Sequence, residues 1–331
     1  MSRLLQSAIA VVTLWAVWSC EVPGGGGGGT GGGTATSFSS GFATVRKDDR
    51  NLFVTDERDV NAPVQLTSTG GVSMPSFSRD GRQVVFARKL GQESELAVVA
   101  VSGGTPATVL RSTATQQNFR TPVFSPDGQR IAFAYDENAT SSSVGVVNVD
   151  GSNFRKVVGG GALAYASPSW FPDGLSLLVS TGNAGLMQTQ VEKVDVATGA
   201  PTPITNTLGN EALSIASRIV LSPDGKLAAF DGRVGSGVTR IFVLDLSTRM
   251  VTRQRNPSSG AVNDSAPAWV SASAFVFSSD EGGADQVYRQ SVGGTNTVLA
   301  VPLAIEPAYV AAPAAADGGV AVDAGTRDGG P

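Results

Sequence analysis

With 331 residues, 41% of them hydrophobic and only 16% charged, the chain can bury a sizeable core in one large domain or two ordinary ones. Its formal charge of −4, with acidic and basic residues interspersed, lacks the footprint of a nucleic-acid binder. Histidine is absent and cysteine occurs once, at Cys20, which excludes an intrachain disulfide, His/Cys zinc sites and catalysis by Ser-His-Asp or Cys-His groups.

Residues 1–20 read MSRLLQSAIAVVTLWAVWSC, a short n-region with Arg3 followed by an apolar stretch from about Leu4 to Trp18. The stretch is too short for a comfortable membrane span and fits a signal-peptide core. Its end, Val17-Trp18-Ser19-Cys20, resembles a bacterial lipobox, although Trp18 is bulkier than that pattern prefers. The resemblance implies a signal peptide over residues 1–19 and a diacylglycerol on Cys20; a plain signal peptide with an incidental thiol is the other reading. Residues 20–37 are glycine-rich, with no apolar surface to bury, and read as a flexible tether between a lipid and a folded domain. Glu21, rather than Asp, after the cysteine favours an outer-membrane destination over inner-membrane retention.

From about Phe38 one pattern recurs: PSFSRDGRQVVFAR (75–88), PVFSPDGQRIAFAY (122–135), PSWFPDGLSLLVS (168–180), IVLSPDGKLAAFDG (219–232) and a degenerate PAWVSASAFVFSSD (267–280). The turn aspartates Asp80, Asp127, Asp173 and Asp224 are spaced 47, 46 and 51 residues apart, and Ala272 takes their place in the fifth copy. Pro presets φ, Asp bonds its own backbone and Gly accepts a positive φ, so each motif predicts a tight turn between a short and a longer strand. A second hairpin follows each turn, as in VGVVNVDGSNFRKVV (144–158) with its Asp150-Gly151 turn. Each unit is therefore four antiparallel strands, one propeller blade. Residues 42–66 match the last three strands of a blade and 306–310 match the first. This predicts an all-β, six-bladed ring closed by a C-terminal strand joining the N-terminal blade, with no sheet edge left open. The propeller is expected over residues 38–324 and a disordered tail over 325–331.

These Ser-Pro-Asp-Gly repeats resemble those of the TolB-like six-bladed propeller family, over most of the chain beyond the signal peptide. The resemblance implies a protein or peptide partner of the cell envelope, and the propeller itself reads as non-catalytic. The family's namesake carries an N-terminal α/β domain where this chain has its glycine tether, so a Tol-Pal role is not implied. Related propellers gate prolyl-oligopeptidase-type hydrolases, which need a Gly-x-Ser-x-Gly elbow and a histidine; this chain has neither.

Strand order puts the Pro-Asp-Gly turns on one face and the loops between second and third strands on the other. Those loops carry Asp48, Asp49, Glu93, Glu95, Asp136, Glu137, Asp231, Asp280 and Glu281. They form either a weakly acidic ring for a basic peptide or cation, or ordinary solvated loops diluted by Lys47, Arg50, Lys89 and Arg233. Arg120, Thr121, Ser167, Ser217, Arg218, Asp264 and Glu306 precede the innermost strands and are expected to edge the channel, with an Arg218–Glu306 ion pair across its mouth. Arg120, Arg218, Asp264 and Glu306 are the candidate ligand contacts, and no catalytic or metal residue is assigned. The motif aspartates read as turn formers, and Trp170, Trp269 and Phe124 as packing between blades. Functionally the chain reads as a monomeric envelope lipoprotein, anchored at Cys20, periplasm-facing or at the cell surface, that binds a protein or peptide without a cofactor. The alternatives are an enzyme acting on a sugar or lactone, for which calcium is the realistic ion in a chain without histidine, and a surface scaffold.

Overall fold

A computed structural model describes residues 38–312 apart from 162, 184–187, 206–207, 209–212, 235–236 and 258–259. The signal peptide, Cys20, the glycine tether and the expected tail lie outside the described residues.

The alternation of apolar and polar residues resolves into twenty-four strands and no helix among the described residues. Strands β1 (Gly41–Val45), β2 (Leu52–Asp56) and β3 (Val64–Gln65) open the chain. Blade 2 holds β4 (Val72–Phe77), β5 (Gln83–Leu90), β6 (Glu93–Ala100) and β7 (Ala107–Arg111). Blade 3 holds β8 (Gln117–Phe124), β9 (Arg130–Asn138), β10 (Ser141–Asn148) and β11 (Arg155–Gly159). Blade 4 holds β12 (Leu163–Trp170), β13 (Ser176–Asn183), β14 (Gln190–Asp195) and β15 (Pro201–Thr205). Blade 5 holds β16 (Leu213–Leu221), β17 (Leu227–Val234), β18 (Thr239–Asp245) and β19 (Val251–Arg253). Blade 6 holds β20 (Asp264–Ser271), β21 (Ala274–Ser279), β22 (Gln286–Ser291) and β23 (Thr297–Val301). The last strand, β24 (Ile305–Val310), pairs antiparallel with β1 and completes blade 1 in the order β24-β1-β2-β3. The first strands of the six blades follow one another around the ring, and β24 returns to β4. The expected six blades and their closure by the C-terminal strand are thus what the chain forms.

Each blade face is apolar, so burial happens between blades. Six hydrophobic clusters result, one at every blade interface. Phe86, Phe133, Phe230 and Phe277 on second strands are fully buried. Trp170 and Trp269 each donate an indole N–H to a carbonyl of the preceding blade's inner strand, Val123 O at 3.3 Å and Val220 O at 2.9 Å, so burial leaves their polar tips satisfied.

The repeated turns are built as their chemistry demands. Gly81, Gly128, Gly174 and Gly225 have φ between 67° and 71°, and each donates its N–H to the carbonyl three residues back at 2.9 Å. The motif aspartates accept the N–H two residues on, as Leu175 N to Asp173 at 2.8 Å, and Asp80 and Asp224 also accept a serine hydroxyl at 2.6 Å. They are turn formers.

Candidate ligand-binding cavity

Around the channel, every inner strand bulges at the same place. In blade 2 two residues, Met74 and Pro75, face the single Phe86 between the pairs Ser73↔Ala87 and Ser76↔Val85. The same two-against-one arrangement recurs in blades 1, 3, 4 and 6. The first bulged residue is left-handed in all five, Met74, Thr121, Ser167, Ala266 and Glu306, with φ from 47° to 53°. Each precedes a proline, whose ring disfavours the right-handed helical conformation there.

Blade 5 departs from this pattern. Ile215↔Gly232 and Ile219↔Phe230 leave three residues, 216–218, opposite Asp231. Asp231 is fully buried and stitches the longer bulge together. Its carboxylate accepts Ser217 N, Arg218 N and, from blade 6, Ala266 N, each at 3.0 Å, as well as the Ser217 hydroxyl. The neighbouring bulges are tied in the same way: Glu306 N donates to Ser278 Oγ at 2.8 Å, and Met74 N to Glu306 Oε2 at 2.7 Å.

The four candidate contacts separate. Arg218 is buried and donates its guanidinium to Ala266 O at 2.7 Å and to Pro307 O, bridging blades 5, 6 and 1. Burial pulls its pKa down to about 10, against the opposing pull of Asp231 and Glu306, so it stays cationic at neutral pH. Glu306 pairs with Arg50 at 2.8 Å, so the direct partner is Arg50 and not Arg218. Asp264 starts β20, two residues ahead of the bulge; its fully buried carboxylate meets Arg255 at 3.3 Å, and burial raises its pKa. Arg120 alone of the four lines the large cavity described next.

That cavity, about 900 Å³, opens on the face of the loops between second and third strands, over blades 2 to 5. Its wall includes Ser73, Arg120, Thr121, Gln190, Ser217 and Arg233. A second space of about 480 Å³ follows the channel toward the Pro-Asp-Gly turns, lined by Pro75, Pro122, Pro168, Phe77, Trp170 and Arg218. Thr121 and Met74 line both. Thr121 Oγ1 is buried without a hydrogen-bond partner.

The carboxylates of the loop face are largely engaged within the protein. Asp136 pairs with Arg120 at 2.7 Å, Glu137 with Lys156 at 3.0 Å, and buried Glu95 with Arg88 and, at 3.7 Å, Arg111. Glu281 pairs with Arg255, and Asp280 accepts Asn263 N at 2.7 Å. Asp48 and Glu93 remain exposed. Most of the loop acids are therefore engaged within the molecule, and the cavity wall carries two arginines and, among the described residues, no carboxylate. In sequence Arg233 shows only as a charge diluting the loop acids, and Gln190 only as the start of a strand.

The ring is a closed six-bladed propeller of four-stranded blades with a cavity of mixed polar and apolar lining on its loop face. A family model described as the TolB beta propeller domain matches residues 41–221, more than half of the chain, and the chain belongs to that family. The Tol-Pal system protein TolB of Francisella tularensis subsp. tularensis (strain WY96-3418) is 31% identical over 170 residues, 50% of this chain and 37% of that protein. The match thus spans little more than a third of that relative's length. The crystal structure of TolB from Acinetobacter baumannii superposes with a TM-score of 0.65 at 18% identity, over 83% of this chain and 67% of that one. An oligogalacturonate lyase in complex with manganese superposes with a TM-score of 0.52 at 16% identity, over 76% of each chain. These structures share the fold.

Proposed function

We propose that this chain is a non-catalytic binding propeller of the cell envelope, whose loop-face cavity receives a protein or peptide segment. The observation that supports it is the cavity of about 900 Å³ walled by hydroxyls, amides, two arginines and the apolar Met74, Ala166 and Ile215, on a chain of the TolB propeller family. The family relative's name, a Tol-Pal system protein, places that relative in an envelope assembly and is the ground for proposing an envelope partner here. The enzyme reading has less support. The manganese-bound lyase shares the fold alone, and here the bulge carbonyls Ala266 O and Pro307 O accept the Arg218 guanidinium.

We further propose that the chain is exported, carried as a lipoprotein on Cys20 and held at the outer membrane as a monomer. Cys20→Ala is expected to move the protein from the membrane to the soluble fraction, and unchanged retention would count against the anchor. For the cavity, a photo-cross-linking amino acid placed at Gln190 should capture an envelope protein in cells. The same probe at Leu175, exposed on the turn face, serves as control. Equal labelling from both positions would sink the reading, and a calcium-dependent rise in melting temperature would favour the enzyme.

A further inference from the structure

We infer that the loop-face cavity selects acidic segments, binding a peptide through carboxylates that pair with Arg120 and Arg233. The inference rests on the binding-propeller reading and adds the charge of the ligand. It reverses the polarity that a count of loop acids suggests.

Three observations carry it. First, the cavity's two charged wall residues are both arginines, contributed by blades 3 and 5. Second, the nearby carboxylates are already committed. Asp136 accepts Arg120, and Asp231 accepts three backbone N–H groups and a hydroxyl while the cationic Arg218 lies beside it. Neither is left to repel an anion at full strength or to compete for both arginines. Third, donor capacity is left over. Arg120 uses one terminal nitrogen on Asp136 and the other on Asn118 O at 3.1 Å, leaving part of its five-donor fork unused. Arg233 is exposed and makes no ion pair among the described residues. Thr121 adds a buried hydroxyl with no partner on the same wall.

Guanidinium groups suit a carboxylate because planar forks match its two oxygens, and such charge-assisted bonds are stronger than neutral ones. The neutral hydroxyls and amides around them, Ser73, Ser217 and Gln190, can pair with the backbone of a bound chain without fixing its sequence. A basic peptide would meet two like charges and find no free acid on the wall.

The test uses the full chain, solubilised in detergent, and three fluorescein-labelled peptides of one length: Glu/Ser/Gly, Gln/Ser/Gly and Lys/Ser/Gly, each C-terminally amidated. Fluorescence anisotropy at low salt should show the Glu peptide binding at least ten-fold more tightly than the Gln peptide, with the Lys peptide weakest. Added salt should narrow that gap. Arg233→Gln, at an exposed position, should weaken Glu-peptide binding about five- to ten-fold with melting temperature and Gln-peptide binding unchanged. Arg120→Gln should act in the same direction, and Lys substitution at 233 should restore part of the loss.

Equal affinity for the Glu and Gln peptides, tighter binding of the Lys peptide, no Glu-peptide binding at all, or an indifferent Arg233→Gln variant would each overturn the inference. If the cross-linker at Gln190 still captures an envelope protein in that event, the binding propeller stands and only its acidic preference falls. If neither peptide nor protein is captured, the parent reading falls with it.

Discussion

At the residue scale, two sets of aspartates have opposite fates, although the sequence writes them with the same letter. Asp80, Asp127 and Asp224 recur at turns, lie near solvent, and hold pKa values below the ordinary 3.8, first because a serine hydroxyl donates to each carboxylate. A depressed carboxylate pKa contributes stability that is present above the unfolded value and lost as pH falls through the folded one. The Asp127 carboxylate is half-exposed and solvent screens its bonds, so Asp127→Ala should cost no more than about 0.5–1 kcal/mol at pH 7 in urea unfolding, a deficit that shrinks as the pH is taken below about 3.8. Asp231 occurs once, is fully buried and serves four donors beside Arg218. Removing it orphans buried N–H groups and takes a counter-charge from a buried cation, so Asp231→Ala should cost about 3–5 kcal/mol. If the two substitutions cost the same, the stitched bulge is not what holds blades 5 and 6 in register.

At the element scale, blade 4 carries an acid that its neighbours do not. Glu192 on β14 is packed toward blade 3, among residues that include Val179 and Tyr165, with Oε2 buried and without a hydrogen-bond partner. It makes no ion pair among the described residues, and burial raises its pKa above the ordinary 4.5, against a lowering hydrogen bond from Tyr165. A raised carboxylate pKa means the folded state binds the proton more tightly. Its contribution is fully present below the unfolded value and lost as pH rises through the folded one. Glu192→Gln should therefore be more stable than the natural chain at pH 7 by about 1–3 kcal/mol, and the gap should close as the pH falls through the raised folded value toward the ordinary 4.5. Melting temperatures of both proteins between pH 4 and pH 8 check the sign; a gap that widens on acidification would contradict it.

The same scale shows what could be read in advance. Blade number, strand order and ring closure follow from a local pattern, because turn chemistry and period-two burial repeat with the chain. The tryptophans were placed between blades for the same reason. The fates of Arg218, Asp264 and Glu306 were not legible. Position in the repeat puts a backbone near the channel but leaves the side chain's direction and partner open. The partner of Glu306 lies 256 residues away, at Arg50. The single extra residue in the blade 5 bulge was hidden inside a 51-residue spacing, where any loop could have absorbed it. The acidic ring failed as a guide because counting loop acids ignores the arginines that fold onto them.

At the scale of the whole molecule, closure rests on one six-residue strand. Without β24, blade 1 would present β1, all five of whose residues are buried, as an open and apolar sheet edge. The strand's removal would also take Pro307 O from the Arg218 guanidinium and Glu306 from both Arg50 and Met74 N. It would free the Tyr309 hydroxyl from Glu57, to which it donates at 2.8 Å, and lift Tyr309 off Phe42, 5.3 Å away between ring centroids. The contacts to Arg50, Glu57 and Phe42 span the seam between the two chain ends, while those to Arg218 and Met74 tie the strand to blades 5 and 2. A chain ending at Ala304 is therefore expected to lose its single cooperative thermal transition and to elute from size exclusion as oligomers, joined through the exposed β1 edge. Tyr309→Ala, which keeps the strand's backbone pairing, should remain monomeric and melt only several degrees lower. A synthetic peptide of residues 303–312, added in trans, should return the truncated chain to the monomer by pairing with β1. If the truncated chain stays monomeric and melts like the full chain, the ring is held by its six interfaces alone and the strand exchange between the ends is dispensable.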